Sequence, residues 1–144
     1  ADTKAETLAD RNFDPQVAAL AIELRRRLIL ELHRAGAGLL LGADSPQVFN
    51  VPGFSIHREL DALVAAGLSP YEALHTGTAA VAEFLGSNTG IVAAGREADL
   101  VLLDANPLDD IHNSRRIHGV MLRGEWLPAA VLEQRLARYA ADGE

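Results

Sequence analysis

One carboxylate stands apart in this sequence. Asp44 closes the run Leu39-Leu40-Leu41-Gly42-Ala43 and opens a stretch, 45–54, that holds two prolines, a glycine and an asparagine. In parallel α/β folds, ligands and catalytic groups collect at the C-terminal ends of strands. A carboxylate in that position can ligate a metal and can take a proton from metal-bound water. The same residues, Asp44-Ser45-Pro46, also suit a plain turn whose Asp bonds nearby backbone amides. Both readings stand on pattern alone.

The five histidines are His33, His57, His75, His112 and His118. They form no His-x-His pair, and no two lie four residues apart as the helical metalloprotease motif requires. His33 falls in the last turn of a helix, where a cation suits the helix dipole. His57 is the one that follows Asp44 closely, although a surface histidine is the plainer account. His75 reads as structural. Asp109, Asp110 and His112 look like a metal cluster but follow a turn, where Asp commonly caps. Ser45 or Ser55 as a nucleophile would need a positioned base that the sequence does not display. No phosphate-binding loop, dinucleotide fingerprint or Gly-x-Ser-x-Gly elbow is present.

The elements that position these residues read as follows. Asp14-Pro15 starts a helix, with Asp at the cap and Pro at the first helical position. Val17, Leu20, Ala21, Leu24, Leu28 and Leu32 then recur at three- and four-residue spacing, and Gly36 and Gly38 stop the helix. Leu39-Leu40-Leu41 is expected to be a short strand buried on both faces. Ser55 is expected to cap a helix whose apolar face is Ile56, Leu60, Leu63 and Val64, ending at Gly67. Ser69-Pro70-Tyr71-Glu72 carries a capping box. Gly77-Thr78 interrupts the chain, with Thr78 expected to cap a further short helix that ends at Gly86. Short strands are expected at Gly90-Ile91-Val92, at 98–103 and at 117–122. Arg123-Gly124 reads as a hairpin turn into Glu125-Trp126. Pro128 opens a last helix with Val131, Leu132, Leu136 and Tyr139.

Composition bounds the function. The chain has 144 residues, 49% of them apolar, with no cysteine and a formal net charge of −7. A chain of this size can bury a core without staples, and its composition argues against disorder. The acidic balance argues against nucleic-acid or anionic-membrane partners. Arg25-Arg26-Arg27 lies within a Leu-rich helical pattern and reads as a solvated face. Disulfides, thiolate catalysis and Cys-ligated zinc are excluded. No apolar stretch approaches the length of a membrane span. Residues 1–10 are polar and acidic, unlike a signal peptide, and a cytoplasmic location is expected.

Several of these stretches, taken in order, resemble the C-terminal part of metal-dependent amidohydrolases, nearest to imidazolonepropionase-like and dipeptidase-like members. Leu39 through Pro46 is similar to the last barrel strand. His57-Arg58-Glu59-Leu60, Leu63-Val64 and Ala66-Gly67-Leu68-Ser69-Pro70-Tyr71-Glu72-Ala73-Leu74 resemble the helices after it, continued by Thr78, Ala82 and Leu85-Gly86. Gly90-Ile91, Gly95, Ala98-Asp99-Leu100-Val101-Leu102-Leu103-Asp104 and Asn106-Pro107-Leu108 look like a small β-sandwich tail, closed by Val120 and Gly124.

The resemblance implies an α/β chain: the last unit of a (β/α)8 barrel over 1–86, then a β-rich tail with a closing helix over 87–144. It implies hydrolysis of C–N bonds in amides, cyclic amides or dipeptides with one or two divalent metals, zinc first among them. Asp44 would be metal ligand and catalytic base. Ser45, Phe49 and His57 would line the substrate pocket, and 98–104 would be scaffold. The family's His-x-His pair, bridging residue and two further histidines have no counterpart before Asp44. A barrel needs about 250 residues and a zinc site about three protein ligands. A partial chain is therefore expected, inactive alone, with the remaining barrel segments or further copies as partners for its apolar helix faces. The rival is a non-catalytic α/β module that binds a protein partner.

Overall fold

The computed structural model describes residues 14–47 and 50–141; Phe49 and the polar stretch 1–10 lie outside them. Five α-helices, one 3-10 helix and a three-stranded sheet make up the described residues. Helix α1 (Pro15–Arg34) starts where Asp14 accepts from the amides of Gln16 at 2.8 Å and Val17 at 3.5 Å. This satisfies two of the donors that a helix start leaves open. An irregular segment, 39–45, leads to the loop and to α2 (Ser55–Ala65). Helices α3 (Pro70–Thr76) and α4 (Ala79–Leu85) follow. The second half holds β1 (Leu100–Leu103), the 3-10 helix η1 (Ile111–Arg115), β2 (Ile117–Leu122), β3 (Glu125–Pro128) and α5 (Ala129–Ala141).

The core joins the two halves. Leu60, Leu63, Leu68, Ala73 and Ile111 are buried together, and Ile29, Leu30, Leu39, Leu41, Val64 and Leu74 pack around them. Ile111 comes from η1, so the tail inserts its own side chain among the helices. Arg115 pairs with Asp61, and His57 with Ser114, along the same seam between α2 and η1. Helix α5 lies across β2 and β3.

Local signals explain most of this. Ser69 and Glu72 form the capping box at the head of α3, and Glu72 also meets His33 Nε2 of α1 at 3.0 Å. Hydrogen bonds from His33 and Ser69 hold the Glu72 carboxyl down at about 2. The sheet is antiparallel in the order β1-β2-β3. Its hairpin turns at Arg123 (φ 50°) and Gly124 (φ 82°), the paired positive φ values that suit two-residue hairpins. The Arg123 amide donates to Asp99 Oδ1 at 2.6 Å and Gly124 to Ala98 O at 3.1 Å, so 98–99 pins this turn.

Four expectations change on contact with the structure. Leu39-Leu40-Leu41 forms no strand and joins no sheet among the described residues. Leu39 and Leu41 pack on the core and the Leu41 amide donates to Thr76 O at 3.0 Å, while Leu40 on the other face is 45% exposed. The segment is thus buried on one face, not two. Ser55 does not cap α2. The amides of Phe54 and Ser55 both turn onto Val51 O, which draws Ser55 one position inside the helix. Thr78 does not cap α4 either; its hydroxyl donates back to Leu74 O at 2.9 Å.

Gly90-Ile91-Val92 is a bend rather than a strand. Gly90 has φ +82°, and a Cβ there would lie 2.6 Å from the Ala82 Cβ and 2.7 Å from the Thr78 carbonyl oxygen. Left-handed strain and overpacking add, so Gly90→Ala is expected to cost roughly 2–4 kcal/mol. A lower urea midpoint at unchanged slope reads this directly; an unshifted midpoint refutes it.

Candidate functional site

Asp44 follows the segment whose Leu39 and Leu41 are anchored on the core. Its φ of +49° is the left-handed conformation that Asp tolerates better than most residues. The side chain is exposed and accepts a hydrogen bond from Gln47 Nε2. Gln47 in turn bridges to Asn50 across the loop. Asp44 therefore serves as a turn former and stands open to solvent at the same time. Ser45 beside it is exposed.

His57 points elsewhere. Its Nδ1 lies 3.0 Å from the Ser114 hydroxyl, and it borders a cavity of about 680 Å³ between the loop, η1 and α5, with Phe54, Ile117, Leu132 and Leu136 as apolar walls. No hydrogen bond joins it to Asp44 among the described residues. Burial and then the Arg115 guanidinium lower the His57 pKa below its ordinary value, and Asp61 opposes them. The unfolded chain therefore takes up this proton first as pH falls. The stabilisation from neutral His57 is full above about 6.5 and fades as pH drops towards the folded value. His57→Gln is expected to lessen the decline of the thermal midpoint between pH 7.5 and 5.5; parallel declines in both proteins would discard this.

The remaining histidines are engaged in local contacts. Asp110 accepts from the His112 amide at 2.9 Å and from its ring at 2.7 Å, which caps η1 and lowers the Asp110 pKa. His118 meets Asp104 at 2.9 Å, and the His75 ring lies 6.1 Å from Tyr71. Among the described residues no group of three or more His, Asp or Glu side chains is placed to share a metal ion. Asp44 would be one ligand where about three are needed, so these residues do not by themselves fit a catalytic metal.

Sequence reasoning missed a small cleft beside Asp44. Ala43, Asn50, Ser55, Arg58 and Glu59 line a space of about 310 Å³. Ser55, Arg58 and Glu59 share one face of α2 by their three- and four-residue spacing. That spacing was visible beside the apolar Leu60-Leu63 face; the opposing wall, Ala43 and Asn50, depends on the path of the loop.

The model of the amidohydrolase family matches residues 3–127. The chain belongs to the amidohydrolase family. Among solved structures, a protein from Bifidobacterium longum assigned as a prolidase is 38% identical, with a TM-score of 0.64 over 74% of this chain and 29% of that one. Molinate hydrolase is 26% identical, with a TM-score of 0.57 over 69% of this chain and 25% of that one. A Xaa-Pro dipeptidase with bound methionine in its active site shares the fold at 20% identity and a TM-score of 0.64, over 72% of this chain and 25% of that one. This amidohydrolase chain thus spans between a quarter and a third of the length of these structures. No protein of curated description matches it. No helix among its described residues is long and apolar enough to cross a membrane.

Proposed function

We propose that this chain is the terminal (β/α)8-barrel unit, 1–86, and the β-sandwich tail with closing helix, 87–144, of an enzyme that hydrolyses C–N bonds in small amide-type substrates. The carrying observation is Asp44, an exposed carboxylate at the free end of a core-anchored segment inside the family match. In the complete enzyme Asp44 acts as the general base. It accepts the proton of the attacking water and passes it to the nitrogen of the departing amine. That second transfer restores the carboxylate. Ser45, with Phe49, borders the substrate on the loop side, and His57 ties the head of α2 to η1 through Ser114. A divalent metal, zinc by family likeness, needs ligands besides Asp44, and the remaining barrel segments are the proposed source. Relatives described as a prolidase, a dipeptidase and molinate hydrolase support dipeptides and related carbonyl–nitrogen compounds as the substrate class. The test is amine release from X-Pro dipeptides and N-acyl amines by the longest polypeptide that carries this chain, wild type beside Asp44→Asn. Equal rates in the two proteins would reject the assignment.

A further inference from the structure

The cavity of about 680 Å³ between the loop, η1 and α5 is lined by neither Asp44 nor Ser45. Its size falls within the range of small-molecule sites. Phe54 at the head of α2, Ile117 at the start of β2, and Leu132, Leu136 and Tyr139 of α5 supply apolar walls. Phe54 and Tyr139 are 62% and 78% exposed, so two aromatic side chains stand open to water around one hollow. Taking such surface out of water is what draws an apolar ligand in, and ring-on-ring contact adds to it.

The polar groups narrow the chemistry. Arg115 is committed to Asp61 and offers no free charge. Glu133 and Arg135, both exposed on α5, border the cavity with opposite signs, so an ion of either sign meets one of each. His57 is what remains. Its Nδ1 is taken by the Ser114 hydroxyl, and its Nε2 has no hydrogen-bond partner among the described residues. Burial and then the Arg115 guanidinium lower the His57 pKa, so near neutral pH the ring brings a hydrogen bond and no charge. Which nitrogen carries the proton is a matter of tautomer. A hydroxyl both donates and accepts, so it can meet Nε2 in either form. We propose that this cavity binds an uncharged phenol-type ligand, its aromatic body against Phe54, Leu132 and Leu136 and its hydroxyl on His57 Nε2. The binding needs neither Asp44 nor a metal.

The test is calorimetric titration of the longest polypeptide that carries this chain with 2-naphthol, naphthalene and 2-naphthoate. 2-Naphthol is expected to bind saturably, and naphthalene, which has the rings without the hydroxyl, roughly tenfold more weakly. 2-Naphthoate brings a charge that the cavity does not answer and is expected to bind more weakly than 2-naphthol. His57→Phe is expected to weaken 2-naphthol by roughly tenfold and to leave naphthalene unchanged, a selectivity that a general loss of structure does not produce. Ala129 lines the cavity, so Ala129→Phe builds a ring into it and is expected to abolish binding of both ligands at an unaltered thermal midpoint. A folded polypeptide that takes up no 2-naphthol has the cavity filled by another part of itself, which overturns the proposal. 2-Naphthoate binding as tightly as 2-naphthol, or His57→Phe weakening both ligands alike, overturns it too. Undiminished 2-naphthol binding by Ala129→Phe places the ligand elsewhere and does the same.

Discussion

Asp44→Asn is expected to lower turnover by about 10²–10⁴-fold in the complete enzyme, the range that a positioned general base supplies. The substitution is unusually clean at this position. Asn adopts the left-handed conformation as readily as Asp, so the φ of +49° carries no new strain. Its amide oxygen still accepts the Gln47 hydrogen bond. The side chain is exposed, so stability is expected to stay within about 0.5 kcal/mol of wild type. What is lost is the ability to take a proton. Asp44→Ala is a poorer probe, because it removes the turn's own acceptor together with the base. Gln47→Ala makes the complementary control: it frees the carboxylate without removing it, and should cost far less turnover than Asp44→Asn. Paired measurements of kcat and thermal midpoint read both effects. A lowered midpoint with near-normal kcat makes Asp44 a turn former and nothing more.

How far the sequence spoke for the fold depended on the range of the interactions involved. The Asp14 cap, the Ser69-Glu72 box and the Arg123-Gly124 turn were legible because each is settled within four residues. The strands at 100–103 and 117–122 were legible by the spacing of their apolar residues and turns. The strand expected at 39–41 failed for a different reason: a strand is completed by partners, and its sequence does not supply them. Ser55 and Thr78 have the residue type of a cap, but capping depends on how the chain enters the helix: the Ser55 amide turns onto Val51 O and the Thr78 hydroxyl donates to Leu74 O. The place of Asp44, exposed at the end of an apolar run, was legible from that run. The direction of His57 was not, since Ser114 lies 57 residues further along the chain. The polar cleft was half legible, one wall being helical spacing and the other a loop.

The second large effect is expected in the mass of the chain in solution. Val17, Leu20, Leu24 and Leu28 lie on one face of α1 and are 62%, 56%, 58% and 59% exposed, while the same helix sends Ile29 and Leu30 to the core. A single exposed Leu needs no explanation, but a continuous stripe of four residues along a helix does. The chain spans 29% of the length of its relative from Bifidobacterium longum, and on the function proposed above this stripe is where further barrel segments would pack. Offered no such neighbour, the stripe is expected to find a second copy, and light scattering should report a mass above 15.4 kDa that rises with concentration. Leu24→Glu with Leu28→Glu is expected to weaken that association by roughly tenfold or more, since burying even half of a Leu side chain is worth about 1 kcal/mol. Because neither side chain belongs to the core, the thermal midpoint should hold. A concentration-independent monomer of the unaltered chain would mean that the stripe tolerates water. The case for missing neighbours would then rest on the unpaired segment at 39–41 alone.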